Sequence, residues 1–277
     1  QTIVDADMDP YAAPAMFERM LQATRYSNNE QIPEFLRSHP LSENRIADTR
    51  NRARKYPKKV RESDLEYQLM RARVITELAA SPAQAVERFR GELEGASTSP
   101  EAATYGLVLA LTAAGRADEA GLELDSIWSK NPERLEYIIA DAEIEMVCNR
   151  SAEAANKLRR RLDVSPGNHP LTMAYATALM KNQQPHIAEE VLVAQSKRRP
   201  NDPGLWYLLA EVQGLAGDIL GLHQSRAEYF ILNGDLEQAR KQLTYALKLT
   251  DSDFHASSRI NQRLADVARM QEQLEEF

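Results

Sequence analysis

Residues 101–134 read EAATYGLVLALTAAGRADEAGLELDSIWSKNPER, and this stretch decides the fold. Leu107, Leu111 and Ala114 keep a helical period through the first half. Gly115-Arg116-Ala117-Asp118-Glu119-Ala120 supplies a turn and the start of a second helix. Pro132 lies just past that helix and stops it. The same punctuation recurs downstream, because Pro132, Pro166 and Pro200 stand 34 residues apart. Three units follow, at 101–134, 135–168 and 169–202. Their eighth position is small: Val108, Ala142 and Ala176, with Ala210 in the next unit. The twentieth is Ala120, Ala154 and Ala188, and the twenty-fourth is Leu124, Leu158 and Leu192. Two antiparallel helices approach closely only where small side chains sit at the crossing and a larger one fills the adjacent groove.

This pattern resembles the tetratricopeptide repeat, including the turn GRADEA and the closing Asn131-Pro132. The expected fold class is all-α: a tetratricopeptide-repeat solenoid of antiparallel helix pairs, preceded by a short helical segment. Residues 62–94 read as a degenerate first pair broken near Ser81-Pro82. Trp206, Leu209, Ala210 and Gly217 open a further unit at 203. Gly234-Asp235 then places a turn only half a repeat length after Gly217-Asp218, so a helix at 218–232 would serve two pairs at once. The expected organisation is a leading segment at 1–58, a repeat array at 59–252 and a polar capping helix at 253–277.

Composition narrows the function classes. The 277 residues carry a net charge of −7 at pH 7 and a pI of about 5.4, which argues against a dedicated nucleic-acid binder. Cys148 is the single cysteine, so no intrachain disulfide forms. Low cysteine use suits both the cytosol and a bacterial envelope protein. No apolar run approaches the roughly 18 residues of a membrane span. The opening QTIVDADMDP has neither a basic nor an apolar leader region, and it reads as a chain cut from something longer.

The segment at 1–58 does not fit the repeat. Asp9 caps a helix candidate from Pro10 to Thr24. Ser27 to Pro40 reads as a loop. Ser42 opens a basic amphipathic helix to about Lys55, with Ile46 and Ala47 facing inward and Arg45, Arg50, Arg52 and Arg54 in water. The strings DPYAAPAMFERM, from Asp9, and FLRSHPLSENRIADTRNRA, from Phe35, resemble the end of the catalytic domain in BepA-like zinc metalloproteases of the bacterial periplasm. In that family a protease domain precedes a tetratricopeptide domain. His39-Pro40-Leu41-Ser42-Glu43-Asn44-Arg45-Ile46 is the most specific part.

The resemblance implies a C-terminal part of such a protein, acting in outer-membrane β-barrel protein assembly and quality control. It implies a periplasmic location, with unfolded or partly folded outer-membrane proteins or the β-barrel assembly machinery as partners. No His-Glu-x-x-His string occurs here, so the two imidazoles one helical turn apart that such a zinc site needs are lacking. The family's third ligand would lie just upstream of Gln1. Hence no catalytic residue is assigned in this chain, and zinc is expected in the intact family member and not in this chain. By the same resemblance His39 is a regulatory zinc ligand in the intact protein, blocking the place of the catalytic water when its loop is in. His169-Pro170 repeats the dipeptide in a repeat turn and reads as structural. A stand-alone tetratricopeptide adaptor with no protease linkage remains the other reading.

Partner binding is expected on the concave face built by the first helices, through positions 2, 5, 9 and 12 of each unit. These are Tyr105 and Leu109; Ile139, Glu143 and Met146; Met173, Thr177 and Met180; then Tyr207 and Glu211. Met and Tyr suit adaptable contacts, although each Met could equally be packing between repeats. Lys and Asn are missing at positions 5 and 9, which argues against a carboxylate clamp. No phosphate-cradling Gly loop occurs.

Overall fold

The computed structural model describes residues 2–26, 43–58, 64–95, 99–250 and 253–275. It contains fifteen α-helices and no strand among the described residues. Two compact units divide at Asp64–Leu65.

The first unit holds α1 (Thr2–Asp5), α2 (Ala12–Tyr26) and α3 (Glu43–Ala53). The α2 helix starts later than expected, with the Asp9 carboxylate accepting from the Tyr11 N–H at 3.1 Å. On α3, Ile46 and Ala53 are buried and Ala47 is exposed. Positions 46 and 53 are seven apart and share a face, whereas Ala47 lies about 100° around the helix. Arg50 of α3 pairs with Glu18 of α2. His39 and the loop from Ser27 to Pro40 lie outside the described residues.

The second unit is an all-α tetratricopeptide-type stack. Its helices are α4 (Leu65–Glu77), α5 (Pro82–Glu94), α6 (Pro100–Ala113), α7 (Ala117–Trp128), α8 (Leu135–Val147) and α9 (Ser151–Val164). Then come α10 (His169–Lys181), α11 (Pro185–Ser196), α12 (Pro203–Ala216), α13 (Ile219–Leu232), α14 (Leu236–Lys248) and α15 (Phe254–Glu275). Second helices begin at Ala117, Ser151, Pro185 and Ile219, one repeat length apart each time. The turn before each contains a left-handed residue at the same spacing: Gly115, Asn149, Gln183 and Gly217, with φ of 74°, 59°, 58° and 83°. Two of the four are not glycine, so the repeat imposes this conformation even where the side chain resists it.

Val108, Ala142, Ala176, Ala120, Ala154 and Ala188 are fully buried, as are Leu158 and Leu192. The small side chains bring paired helices together, and the leucines fill the space beside them. Core packing runs along the stack in three clusters. One extends from Leu69 to Ile144, the next from Ile138 to Val212 and the last from Ala227 to Val267. Trp128 packs against the first two and joins them.

The ends depart from the repeat. Ser81 caps α5 through the Gln84 N–H at 3.2 Å, yet α4 and α5 lean mainly on α6 and touch each other little. The α13 helix packs on both α12 and α14, so it closes one pair and opens the next. Asp253 caps α15 by accepting from the Ala256 N–H at 3.0 Å.

Candidate functional site

On the face of the stack built by α4, α6, α8 and α10 lies a groove of about 300 Å³. Leu109 and Thr112 of α6, Met146 of α8 and Thr177 of α10 line its floor. Both threonine hydroxyls are turned onto their own helix: Thr112 donates to the Val108 carbonyl at 2.8 Å and Thr177 to the Met173 carbonyl at 3.0 Å. The floor is therefore methyl and thioether surface, which suits an apolar side chain. Charge sits at the edge, where Glu77 and Lys181 are exposed.

One polar network braces the groove. Arg73 of α4 donates to both carboxylate oxygens of Glu143 on α8, at 3.0 and 3.3 Å. It also donates twice to the Tyr105 hydroxyl of α6, at 3.2 and 2.9 Å. One side chain thus ties three first helices together. Burial opposes the charge on Arg73, but Glu143 and Tyr105 more than offset it and hold the guanidinium firmly protonated. Burial pushes the Tyr105 hydroxyl up to about 12. The Tyr137 ring packs against that of Tyr105, tilted by 45° at 5.9 Å, and its hydroxyl donates to Glu101 at 2.6 Å, and burial raises its pKa as well.

The sequence-assigned contact residues fall in different places. Leu109, Glu143, Met146 and Thr177 come together in the groove. Tyr105 has no exposed surface and supports the groove through Arg73. Ile139 is buried in the middle cluster, with Met173 and Met180 packed against it and partly exposed. Tyr207, on α12, is 51% exposed and meets the Tyr229 ring at 5.5 Å. Sequence reading missed Arg73, because its partner stands 70 residues away and no local motif announces the pair.

His169 is not in the turn expected for it but is the first residue of α10, just past the Asn168 cap. Its Nε2 meets the Asp202 carboxylate at 3.0 Å and its Nδ1 lies 3.3 Å from the Gln195 amide. Burial lowers its pKa, partly countered by Asp202. Among the described residues no group of three or more His, Cys, Asp or Glu is placed to hold a metal ion. No helix among them is long and apolar enough to cross a membrane.

Paired helices at a constant period, with an apolar groove across the first helices, define a tetratricopeptide-type stack. Its relatives point in a particular direction. The chain is 28% identical over 278 residues to the beta-barrel assembly-enhancing protease of Escherichia coli K12, a match covering 100% of this chain and 56% of that protein. The Yersinia pestis protein of the same name is 27% identical over 281 residues, covering 100% and 57%. A putative beta-barrel assembly-enhancing protease of Vibrio cholerae is 28% identical over 265 residues, covering 95% and 54%. The chain thus spans about half the length of the curated relatives it matches. No family model matches it. Among solved structures, a tetratricopeptide repeat protein from Parabacteroides merdae aligns with a TM-score of 0.43 and 14% identity, over 91% of this chain and 98% of that one.

Proposed function

We propose that this chain is the protein-docking part of a periplasmic zinc metalloprotease and chaperone acting on outer-membrane β-barrel proteins. The observation that carries the reading is the apolar groove over Leu109, Met146 and Thr177, set on the face a repeat stack offers to partners. The match to beta-barrel assembly-enhancing proteases along all of the chain supports the cellular setting. An unfolded barrel strand alternates apolar and polar side chains. Run extended across the first helices, it would set an apolar side chain on the groove floor, with Glu77 and Lys181 beside its polar neighbours. Peptide cleavage would belong to residues beyond this chain, since His-Glu-x-x-His does not occur within it. His39 would act there as the reversible zinc ligand that closes the metal site.

The test is equilibrium binding of a fluorescently labelled, urea-unfolded β-barrel polypeptide after dilution. Wild-type chain should bind it saturably. Thr177→Trp, which fills the groove from a half-buried position, should weaken binding at least about tenfold with the helical signal unchanged. Equal affinity for both proteins would remove the groove from the account. Equal affinity for an unrelated unfolded chain would remove the β-barrel client and favour a general adaptor.

A further inference from the structure

A second recess lies on the other side of α8, and nothing in the docking groove uses it. Helices α7, α8 and α9 enclose a cleft of about 1010 Å³. The α8 helix separates the two sites. Glu143, Met146 and Val147 line the groove, while Ile138, Asp141, Ile144, Glu145 and Cys148 line the cleft. At about 100° per residue these sets lie on opposite faces of one helix.

The cleft floor is apolar at Leu124, Trp128, Ile138 and Ile144. Its rims carry Leu122 of α7, 73% exposed, and Val164 of α9, 80% exposed. A single exposed apolar side chain is ordinary, but two on opposite rims of one apolar-floored trough mark a binding surface. The walls have opposite charge. The α7 wall presents Asp118 and Asp125, which are exposed and form no ion pair among the described residues. The α9 wall presents Lys157, Arg160 and Arg161. Lys157 is held by Asp141 and Glu145 at 2.7 and 2.9 Å, Arg161 pairs with Glu133, and Arg160 is exposed without an ion pair among the described residues. No ion pair among the described residues crosses from α7 to α9.

We propose that this cleft docks an amphipathic helix of a partner protein, with a leucine-rich stripe inward, cations along the α7 flank and carboxylates along the α9 flank. A helix satisfies its own backbone, whereas an extended segment would set unpaired N–H and C=O groups against the apolar floor. The walls are 12 and 14 residues long, matching an occupant of about 18–21 Å at 1.5 Å per residue. The inner half of such a cylinder, about 10 Å wide, occupies roughly 700 Å³, which the cleft can hold. Gly121 lines the trough, and a Cβ built on it meets nothing within 4 Å, so the space above α7 is open to a close-lying backbone.

The probe is a synthetic 14-residue helical peptide, equal in length to α9, with one leucine stripe, Lys on one flank and Glu on the other. Two controls keep the stripe: one with Lys and Glu dispersed over both flanks, one with Glu on both flanks. Fluorescence anisotropy should show saturable binding of the first peptide, at least tenfold tighter than either control. Gly121→Trp should abolish it while leaving the helical signal unchanged. Asp118→Lys with Asp125→Lys should transfer the preference to the peptide with two acidic flanks. Absence of saturable binding, equal affinity for the dispersed-charge peptide, or indifference to both the plug and the wall reversal would each overturn the proposal.

Discussion

Replacing Arg73 with Met tests how the groove is held. The substitution keeps an unbranched side chain and removes every polar contact of the guanidinium. Four hydrogen bonds go with it, two to Glu143 and two to the Tyr105 hydroxyl. Bonds to charged groups are worth about 1.5–3 kcal/mol each in favourable cases, and breaking a wholly buried pair costs about 3–5 kcal/mol. Here the two side chains are 27% and 28% exposed, so water recovers part of the Glu143 loss. The Tyr105 hydroxyl belongs to a residue with no exposed surface and recovers little. A net loss of about 2 kcal/mol follows, between the buried and surface limits. For a unit of this size that lowers Tm by roughly 4–8 °C. Urea unfolding followed by far-UV circular dichroism measures it, within a double-mutant cycle against Glu143→Leu. The pair should show a coupling of at least about 1 kcal/mol, against the roughly 0.3–0.5 kcal/mol within which independent sites add. Additive effects, or a loss below about 0.5 kcal/mol for Arg73→Met, would refute the brace.

Three further outcomes are expected. Leu158→Ala removes three carbons from a fully buried site on α9 and should cost about 3–5 kcal/mol, read from the urea midpoint. Gln183→Gly relieves a left-handed residue at φ 58° and should raise stability by up to about 1 kcal/mol, whereas a glycine at Thr172, in the first turn of α10, should lower it. His169 is held neutral by burial, its folded pKa lying below the ordinary value of 6.5. The unfolded chain therefore takes up the proton first on acidification. The stability His169 contributes is complete above about pH 6.5 and declines as pH falls through the lowered value. His169→Gln should flatten that stretch of the stability–pH curve, and an unchanged slope would assign it to other groups.

The repeat was legible because its signals are local and recur. Prolines at a fixed spacing, alanines at the crossings and one turn per unit need no knowledge of distant residues, and the helices begin where that spacing puts them. The left-handed turn was less legible, since Asn149 and Gln183 carry it without a glycine to mark it. Site geometry was legible only in part. The register gathers Leu109, Glu143, Met146 and Thr177, because a position that recurs once in every unit returns to one face. It misjudged the exposure of Tyr105, because α4 packs directly on α6 at the irregular start of the stack. Arg73 belongs to that irregular helix, so no periodic argument reaches it. Ala47 went the same way on a smaller scale, since a shift of a single position on a short helix exchanges inside for outside.

The most direct test of the docking account is site-specific photo-crosslinking to an unfolded β-barrel polypeptide. A photoreactive side chain at Lys181, on the edge of the groove, should give a specific adduct. The same group at Arg159, exposed on α9, should give none. Adducts of equal yield at both positions, or adducts only at Arg159, would contradict a docking site on the first-helix face.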